Sequence, residues 1–290
     1  MSAGNLHSRS GGYNPAFFDR LSAIEDRHFW FSSRNDLIGR FMHRLASDLP
    51  AGSRVLEVGC GTGNVLRVLE RSCGTGRVIG FDLWAEGLAH VRRRTGCPLV
   101  QGDLRRNPFS CRFELVGLFD VLEHIPDDTA VLKTVFDMLP PGGVLLITVP
   151  ARPSLWSYFD EASRHCRRYS RADLETRLSE AGLRIEFVSE FMMSAYPLVR
   201  AGRYLAARAR PASADKRVDE LAAAELRVLP GVNLVMKFLL KLENRLLARR
   251  VRLPLGTSLI AVARRRFPSE TAPAAQGSRL TDAPRPASGR

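Results

Sequence analysis

Lysine is almost missing from this chain, at four of 43 basic residues, the rest being arginine. A GC-rich coding sequence produces that bias without any partner, so the formal net charge of +13 does not by itself imply a polyanionic ligand. Its distribution says more. Residues 1–191 carry 24 basic and 23 acidic groups and residues 192–290 carry 19 and 7, so nearly all the excess lies C-terminally and suggests an anionic surface or ligand there. Cysteine is scarce as well: Cys60, Cys73, Cys97, Cys111 and Cys166 form an odd set without a C-x-x-C pair. That argues against a disulfide framework and for a reduced cytosolic protein, with Cys60 a small turn residue rather than a nucleophile. No stretch approaches the roughly 20 apolar residues of a spanning helix, and residues 1–12 are polar, without the apolar core of a secretion signal. The expected location is cytoplasmic, either free or peripheral at the inner face of the membrane.

With 45% apolar residues in 290, the chain can bury one large core, or one core with an elaboration. Residues 55–66, Val-Leu-Glu-Val-Gly-Cys-Gly-Thr-Gly-Asn-Val-Leu, read as an apolar strand entering a glycine turn and then a helix. Such a turn binds the end of a nucleotide-like cofactor in an α/β protein. Gly59, Gly61 and Gly63 let a ligand lie against the main chain. The dinucleotide fingerprint is absent, because the third glycine comes one residue early and a carboxylate, Glu57, stands just before the turn. Negative charge there repels a pyrophosphate and suits a cationic ligand. The run resembles motif I of the class I S-adenosylmethionine-dependent methyltransferases.

Later landmarks of that family follow in order through roughly residues 50 to 190. The stretch 78–83 is a second strand ending in Asp82, 19 residues after Gly63, where a carboxylate can accept both ribose hydroxyl protons. The stretch 99–104 is the third strand, whose Gly102-Asp103 turn matches the family position that caps the adenine. The resemblance thus implies Asp82, Leu83, Gly102, Asp103 and Leu104 as cofactor neighbours. Residues 113–119 are the fourth strand, leading to Asp120-Val-Leu-Glu-His, and 139–149 hold the proline-glycine turn and fifth strand. The expected fold is α/β, a Rossmann-like, seven-stranded, mostly parallel sheet with an antiparallel last strand and helices on both faces.

The expected organisation is an N-terminal helical cap over 1–48, a core over 49–191 and 258–267, a helical insertion over 192–257, and a disordered tail over 268–290. Within the cap, 14–28 is helical by its spacing of Phe17, Phe18, Leu21 and Ile24, and a second helix runs from about Arg34 to Ala46. Ser170 with Asp173 resembles a capping box opening a helix that ends at Gly182. Residues 184–190 and 258–264 read as the last two strands. The block from His28 to Asn35 resembles the opening of bacterial methyltransferases often encoded beside sugar-transfer enzymes. Arg34 is its candidate ligand for the methionine carboxylate, since a guanidinium can grip a carboxylate in a forked pair. Trp30 is either an acceptor contact or a core residue.

Methyl transfer needs a nucleophile in line with the methyl carbon, with positioning as the main device and a base as an optional addition. Asp120, Glu123 and His124 follow the fourth strand at the carboxyl edge of the sheet, with His124 the candidate base and Asp120 a cofactor contact as well. The resemblance also brings a metal reading, because related quinone O-methyltransferases and small-RNA 2'-O-methyltransferases place Glu-x-x-Glu-His here. This chain departs at Asp120; His165 is a candidate further ligand, and no metal is the expectation. His165, Arg167, Arg168 and Tyr169 are candidates to line an anionic or hydroxyl-rich acceptor pocket.

In 232–250, cations at Lys237, Lys241, Arg245 and Arg249 form a stripe beside Val235, Leu239, Leu242 and Leu246. Two readings stay open: an interfacial helix on anionic lipid, serving a lipid-linked acceptor, or an ordinary helix covering the pocket with its polar face in water. The functional expectation is transfer of a methyl group from S-adenosylmethionine to a small-molecule, glycan or lipid-linked acceptor. The alternatives are a metal-assisted O-methyltransferase acting on a quinone-like or RNA acceptor, a nicotinamide oxidoreductase, which Glu57 opposes, and a non-catalytic binding module. Nucleic acid is not an expected partner, since no RNA-binding module is recognisable.

Overall fold

The computed structural model describes residues 17–73, 77–208 and 224–267. The expected tail and the first residues of the cap lie outside them. Seven strands form one sheet: β1 (Arg54–Val58), β2 (Arg77–Asp82), β3 (Leu99–Gln101), β4 (Leu115–Phe119), β5 (Val144–Pro150), β6 (Leu183–Phe191) and β7 (Ser258–Arg265). Their order is β3-β2-β1-β4-β5-β7-β6. The first five are parallel, and β7 runs antiparallel between β5 and β6. The expected topology is thus the observed one.

Strand order reverses beside β1, because β2 and β4 flank it on opposite sides. The loops after β1 and β4 therefore leave the sheet in opposite directions and open a crevice at its carboxyl edge, where ligands bind in doubly wound sheets. Successive residues alternate between two cores, as the period of a strand requires. Val55, Leu115, Val144 and Leu146 join one cluster, and Leu56, Val116, Leu145 and Ile147 the other. Helices α5 (Asp128–Met138) and α7 (Arg171–Glu180) supply Val131, Leu132, Val135, Leu174 and Leu178 to the second. Ser170 and Asp173 form the expected capping box on α7.

The first cluster is covered by α2 (Phe29–Ser47), α3 (Leu66–Ser72), α4 (Ala85–Val91) and α9 (Pro230–Ala248), which follows α8 (Tyr196–Arg208). The expected second helix begins five residues earlier than read: the aromatic run 29–31 is its first turn, with the His28 side chain accepting from Trp30 N at 3.2 Å. The N-terminal block divides. α1 (Phe17–Ile24) lies over the glycine turn, whereas α2 buries Leu37, Ile38 and Met42 completely and packs against α9.

α9 leaves the cations Lys241, Arg245 and Arg249 in water, but it does not bury the apolar face of the sequence pattern. Asn233, Glu243 and Asn244 point inward. Asn244 Nδ2 donates to Ser33 O (2.8 Å) and Asp36 Oδ2 (2.9 Å), and Glu243 accepts from the backbone N–H groups of Met193 (3.0 Å) and Ser194 (3.1 Å). Leu240 and Leu247 complete the buried stripe. Val235, Leu239, Leu242 and Leu246, the apolar face of the sequence pattern, are all exposed.

Candidate functional site

β1 ends at Val58 and the chain turns through Gly59, Gly61 and Gly63 at φ +70°, +51° and +79°. Glycine enters this region without the strain a side chain brings. At Gly59 an added Cβ would stand 2.4 Å from a Val121 methyl, so space also excludes a side chain. Asp82, at the end of β2, organises the turn: its carboxylate accepts from Gly61 N (2.7 Å) and Trp84 N (2.8 Å). Burial pushes the Asp82 carboxyl up, and these backbone donors pull it part of the way back.

Glu57 is buried at the end of the same strand, and burial drives its carboxyl well above the usual range, with Arg34 opposing and Asp82 adding to the shift. The fixed negative charge expected before the turn is therefore revised. Burial favours the neutral carboxyl, and a cation placed beside it would favour the ionised form. One Glu57 oxygen, Oε2, has no partner among the described residues.

Arg34 reaches the same place from α2. Its Nη1 pairs with Asp120 Oδ2 at 2.5 Å, and its guanidinium lies over Trp30, 4.9 Å from the ring centroid. Nε is buried without a partner among the described residues. Asp120 sits at φ +56° just beyond β4, held by Thr148 Oγ1 at 3.2 Å. The α1–α2 region is tied to the turn by Glu25, which accepts from Thr62 Oγ1 (2.7 Å) and pairs with Arg94, and by Asn35, whose Nδ2 donates to Asn64. Asp103 is engaged by Arg105, with Nη2–Oδ2 at 2.6 Å, and this hydrogen bond holds its carboxyl below the usual range. Leu83, Gly102 and Leu104 stand beside it on the cavity wall.

These residues border a cavity of about 670 Å³ that continues past Trp30 to Glu123, His124, His165 and Arg168. On that side the sequence reading needs three corrections. Tyr169 is wholly buried away from the cavity, its hydroxyl donating to Asp128 Oδ2 at 2.9 Å. Arg167 pairs with Asp128 at 2.7 Å and is no part of the wall either. His124 is a poor base: burial, helped by His165 whenever that neighbouring ring carries a proton, pushes its imidazole down to about 3 against smaller opposition from the Ser163 and Arg164 backbone.

The residue that sequence reasoning missed is Asp160. It lies in α6 (Tyr158–Ala162) at the third position of a capping box opened by Ser157, the spacing that was legible at Ser170 and Asp173. Asp160 Oδ1 meets His165 Nδ1 at 2.9 Å and Arg168 Nε at 2.7 Å. Burial alone would raise its carboxyl; the hydrogen bond from His165 and the charges of Arg168 and Arg203 outweigh it and hold it below the usual value. Arg168 also donates from Nη1 to Ala151 O (3.0 Å), so two of its three nitrogens support this wall. His165 packs edge-on against His124, with ring centroids 4.8 Å apart. Glu123, His124 and His165 bring donor atoms within 4.8 Å of one another, while Asp120, the first position of the metal pattern of the related O-methyltransferases, is drawn away to Arg34.

A family model described as a methyltransferase domain matches residues 30–187, more than half of the chain. The chain belongs to the methyltransferase domain family. Among curated relatives, a Mycolicibacterium smegmatis protein described as an S-adenosylmethionine-dependent methyltransferase is 29% identical over 57% of this chain and 63% of its own length. A malonyl-[acyl-carrier protein] O-methyltransferase of Enterobacter lignolyticus is 34% identical over 54% and 65%. The chain thus spans a little under two thirds of these two relatives. A ubiquinone biosynthesis O-methyltransferase of Xanthomonas axonopodis is 27% identical over 64% of this chain and 87% of its own length.

Two solved structures share the fold. One is a methyltransferase in complex with the Haloferax volcanii Trm112 methyltransferase activator, with TM-score 0.55 at 18% identity over 87% of this chain and 97% of the other. The second is the N-methyltransferase NodS of Bradyrhizobium japonicum with bound S-adenosyl-L-homocysteine, with TM-score 0.50 at 17% identity over 86% and 97%. S-adenosylmethionine is the cofactor of this family. The residues present fit it. Three glycines clear the wall of the turn, a buried carboxylate ends β2, and Glu57 Oε2 and Arg34 Nε are polar atoms buried in the wall without partners among the described residues.

Proposed function

We propose that this chain is a methyltransferase that moves a methyl group from S-adenosylmethionine to a hydroxyl oxygen of a small-molecule or lipid-linked acceptor. The observation that carries this reading is His165, which borders the same cavity as the glycine turn and Asp82 and is held from behind by the buried Asp160 at 2.9 Å. When bound, the cofactor supplies a methyl on a cationic sulfur, open to in-line displacement. Asp82 would take the ribose hydroxyls, Asp103 with Leu104 the adenine, and Arg34 the methionine carboxylate, with Glu57 facing the cationic methionine end.

A hydroxyl is a weak nucleophile until its proton has somewhere to go. Asp160 holds Nδ1 of His165, which fixes the tautomer and leaves Nε2 to take that proton, and the neighbouring carboxylate stabilises the imidazolium that results. His124 stays neutral beside it and shapes the wall. Phe29, Trp30, Ile125, Phe159 and Leu198 make the rest of that wall largely apolar, which desolvates the acceptor and supports an amphiphilic one. Two of the relatives described above are O-methyltransferases by name, in keeping with an oxygen acceptor.

Methyl-labelled S-adenosylmethionine incubated with the protein and with separated aqueous and lipid extracts of bacterial cells tests this. Label that survives strong base, is released as methyl iodide by hot hydriodic acid and is lost in His165→Gln supports an ether-forming enzyme. A chain that binds the cofactor in calorimetry yet labels nothing in either extract is a binding module. One observation favours a second reading, metal-assisted O-methylation: the Glu123, His124 and His165 donors cluster within 4.8 Å. Loss of labelling on chelation, restored by one divalent metal, would select it.

A further inference from the structure

We propose that the outward face of α9 seats on an anionic lipid surface and brings the mouth of the cavity to the bilayer. α9 is turned inside out for a surface helix, and its orientation is fixed by polar anchors, two of them buried, Glu243 and Asn244. Asn233 Oδ1 accepts from Phe29 N at 2.6 Å and its Nδ2 donates to Arg27 O at 3.0 Å, which adds to the hold of Glu243 and Asn244 described above. With those three residues committed inward, Leu234, Val235, Phe238, Leu239, Leu242 and Leu246 must face out. Leu234 is 71% and Phe238 63% exposed. Monomeric surfaces rarely show so continuous an apolar strip without a use for it.

Charge says what covers the strip. Lys241, Arg245 and Arg249 are exposed along it, Lys237 is half-buried at its margin, and none of the four is ion-paired among the described residues. The single acidic residue of α9 is Glu243, which is buried. The outward face therefore offers apolar groups and cations and no carboxylate. That is the composition of an interfacial helix on acidic headgroups, with the apolar strip below the phosphates and the cations among them. A protein interface of this size would favour a core depleted of charge with mixed signs at its rim.

Position supplies the purpose. Leu229, Val232 and Asn233, where α9 begins, line the cavity, and so do Leu198, Val199 and Gly202 of α8. α8 exposes Leu198, Tyr204 and Leu205. An amphiphilic acceptor could pass from the bilayer to the acceptor wall along apolar surface. This last point rests on the methyl-transfer reading; lipid binding itself does not, and it is measured without cofactor.

The test is co-sedimentation of the full chain with vesicles of phosphatidylcholine alone and with phosphatidylglycerol added, at low and high salt. Binding to the anionic vesicles alone, weakening as salt rises, is expected. Each of Lys237→Gln, Lys241→Gln, Arg245→Gln and Arg249→Gln should lower association about fivefold. Phe238→Gln with Leu242→Gln, at exposed positions, should lower it at least about tenfold at an unchanged melting temperature. No sedimentation with anionic vesicles at low salt overturns the proposal, and so does equal binding to neutral ones. A concentration-dependent dimer abolished by Phe238→Gln with Leu242→Gln, without lipid binding, would assign the face to a second copy. Calorimetric titration of S-adenosylmethionine separates these outcomes from failure of the methyltransferase reading, since cofactor binding should be indifferent to all six changes.

Discussion

The two halves of the cavity are built in different ways. The cofactor half is assembled from strand ends and the turns that follow them: Glu57 to Gly63 from the end of β1 onward, Asp82 at the end of β2, Gly102 and Asp103 after β3. Its geometry is held by backbone, with Gly61 N and Trp84 N donating to Asp82. The acceptor half is assembled from side chains far apart in sequence: Glu123 and His124 after β4, His165 after α6 with Asp160 behind it, and the entrances of α8 and α9. It is held by buried charge, with Asp160 at the centre of His165, Arg168 and Arg203. A backbone cradle suits a cofactor that does not change, and a wall of exchangeable side chains suits an acceptor that does.

The change with the largest expected effect separates the halves. His165→Gln keeps a hydrogen-bonding group for Asp160 and removes the base, so turnover should fall about 10²- to 10⁴-fold while cofactor affinity stays as it was. Single-turnover kinetics and calorimetry on the same preparation measure both. A parallel loss of cofactor affinity would show that the halves are coupled and that His165 acts through the fold.

Asp82→Ala attacks the other half. It removes a charged acceptor, worth about 1.5 to 3 kcal/mol, so cofactor affinity should fall about tenfold to a hundredfold. Equal calorimetric affinity in wild type and variant would take Asp82 out of the ribose site.

These two positions also mark how far the sequence could be read. Asp82 was legible because strand, turn and carboxylate follow one another within the span from Gly63, and local order in sequence is local order in space. Asp160 was not, because its role is defined by His165, Arg168 and Arg203, which a loop and a helix bring to it, and a capping-box spacing announces a helix start without announcing chemistry. Tyr169 misled for the same reason: it adjoins Arg168 in sequence, yet the isolated bridge of Ala151 with Tyr169 turns its ring toward Asp128 and the core. In α9 the period was legible and its direction was not. Three polar residues anchored to α2 and its entrance and to the turn before α8 outweighed the apolar stripe, a tertiary choice that periodicity cannot express.

Arg34 lies on the border of the halves, paired with Asp120 and stacked on Trp30. Arg34→Lys keeps the charge and loses the fork, so cofactor affinity should fall by up to about tenfold. Affinity and melting temperature decide this together: a variant that melts lower yet binds normally would leave Arg34 as a structural residue.

Glu57 gives a smaller, pH-dependent signal. Its folded-state pKa is raised above the ordinary 4.5 by burial. The stability this group contributes is therefore fully present below about 4.5 and is lost as pH rises through the folded value. A cationic ligand end beside it favours the ionised carboxyl, so cofactor binding below that folded value should release protons. Calorimetry in two buffers of different ionisation enthalpy should detect the release and find it absent in Glu57→Gln. Identical proton counts in both proteins would place the cationic end elsewhere.

The smallest expected effect fixes the outer boundary of the acceptor half. Tyr169→Phe removes one hydroxyl that donates to Asp128, a carboxylate that Arg167 and Arg177 still compensate at 2.7 and 2.5 Å. No buried charge is stranded, so the cost should be that of a single hydrogen bond, about 1 kcal/mol, seen as a melting temperature lower by about 2–4 °C. Because the ring lies behind the wall and does not border the cavity, kcat and the acceptor KM should both stay at wild-type values at a temperature where the variant is folded. A raised KM at unchanged stability would mean that the acceptor reaches past Arg168, and that the acceptor half extends to the loop joining α6 to α7.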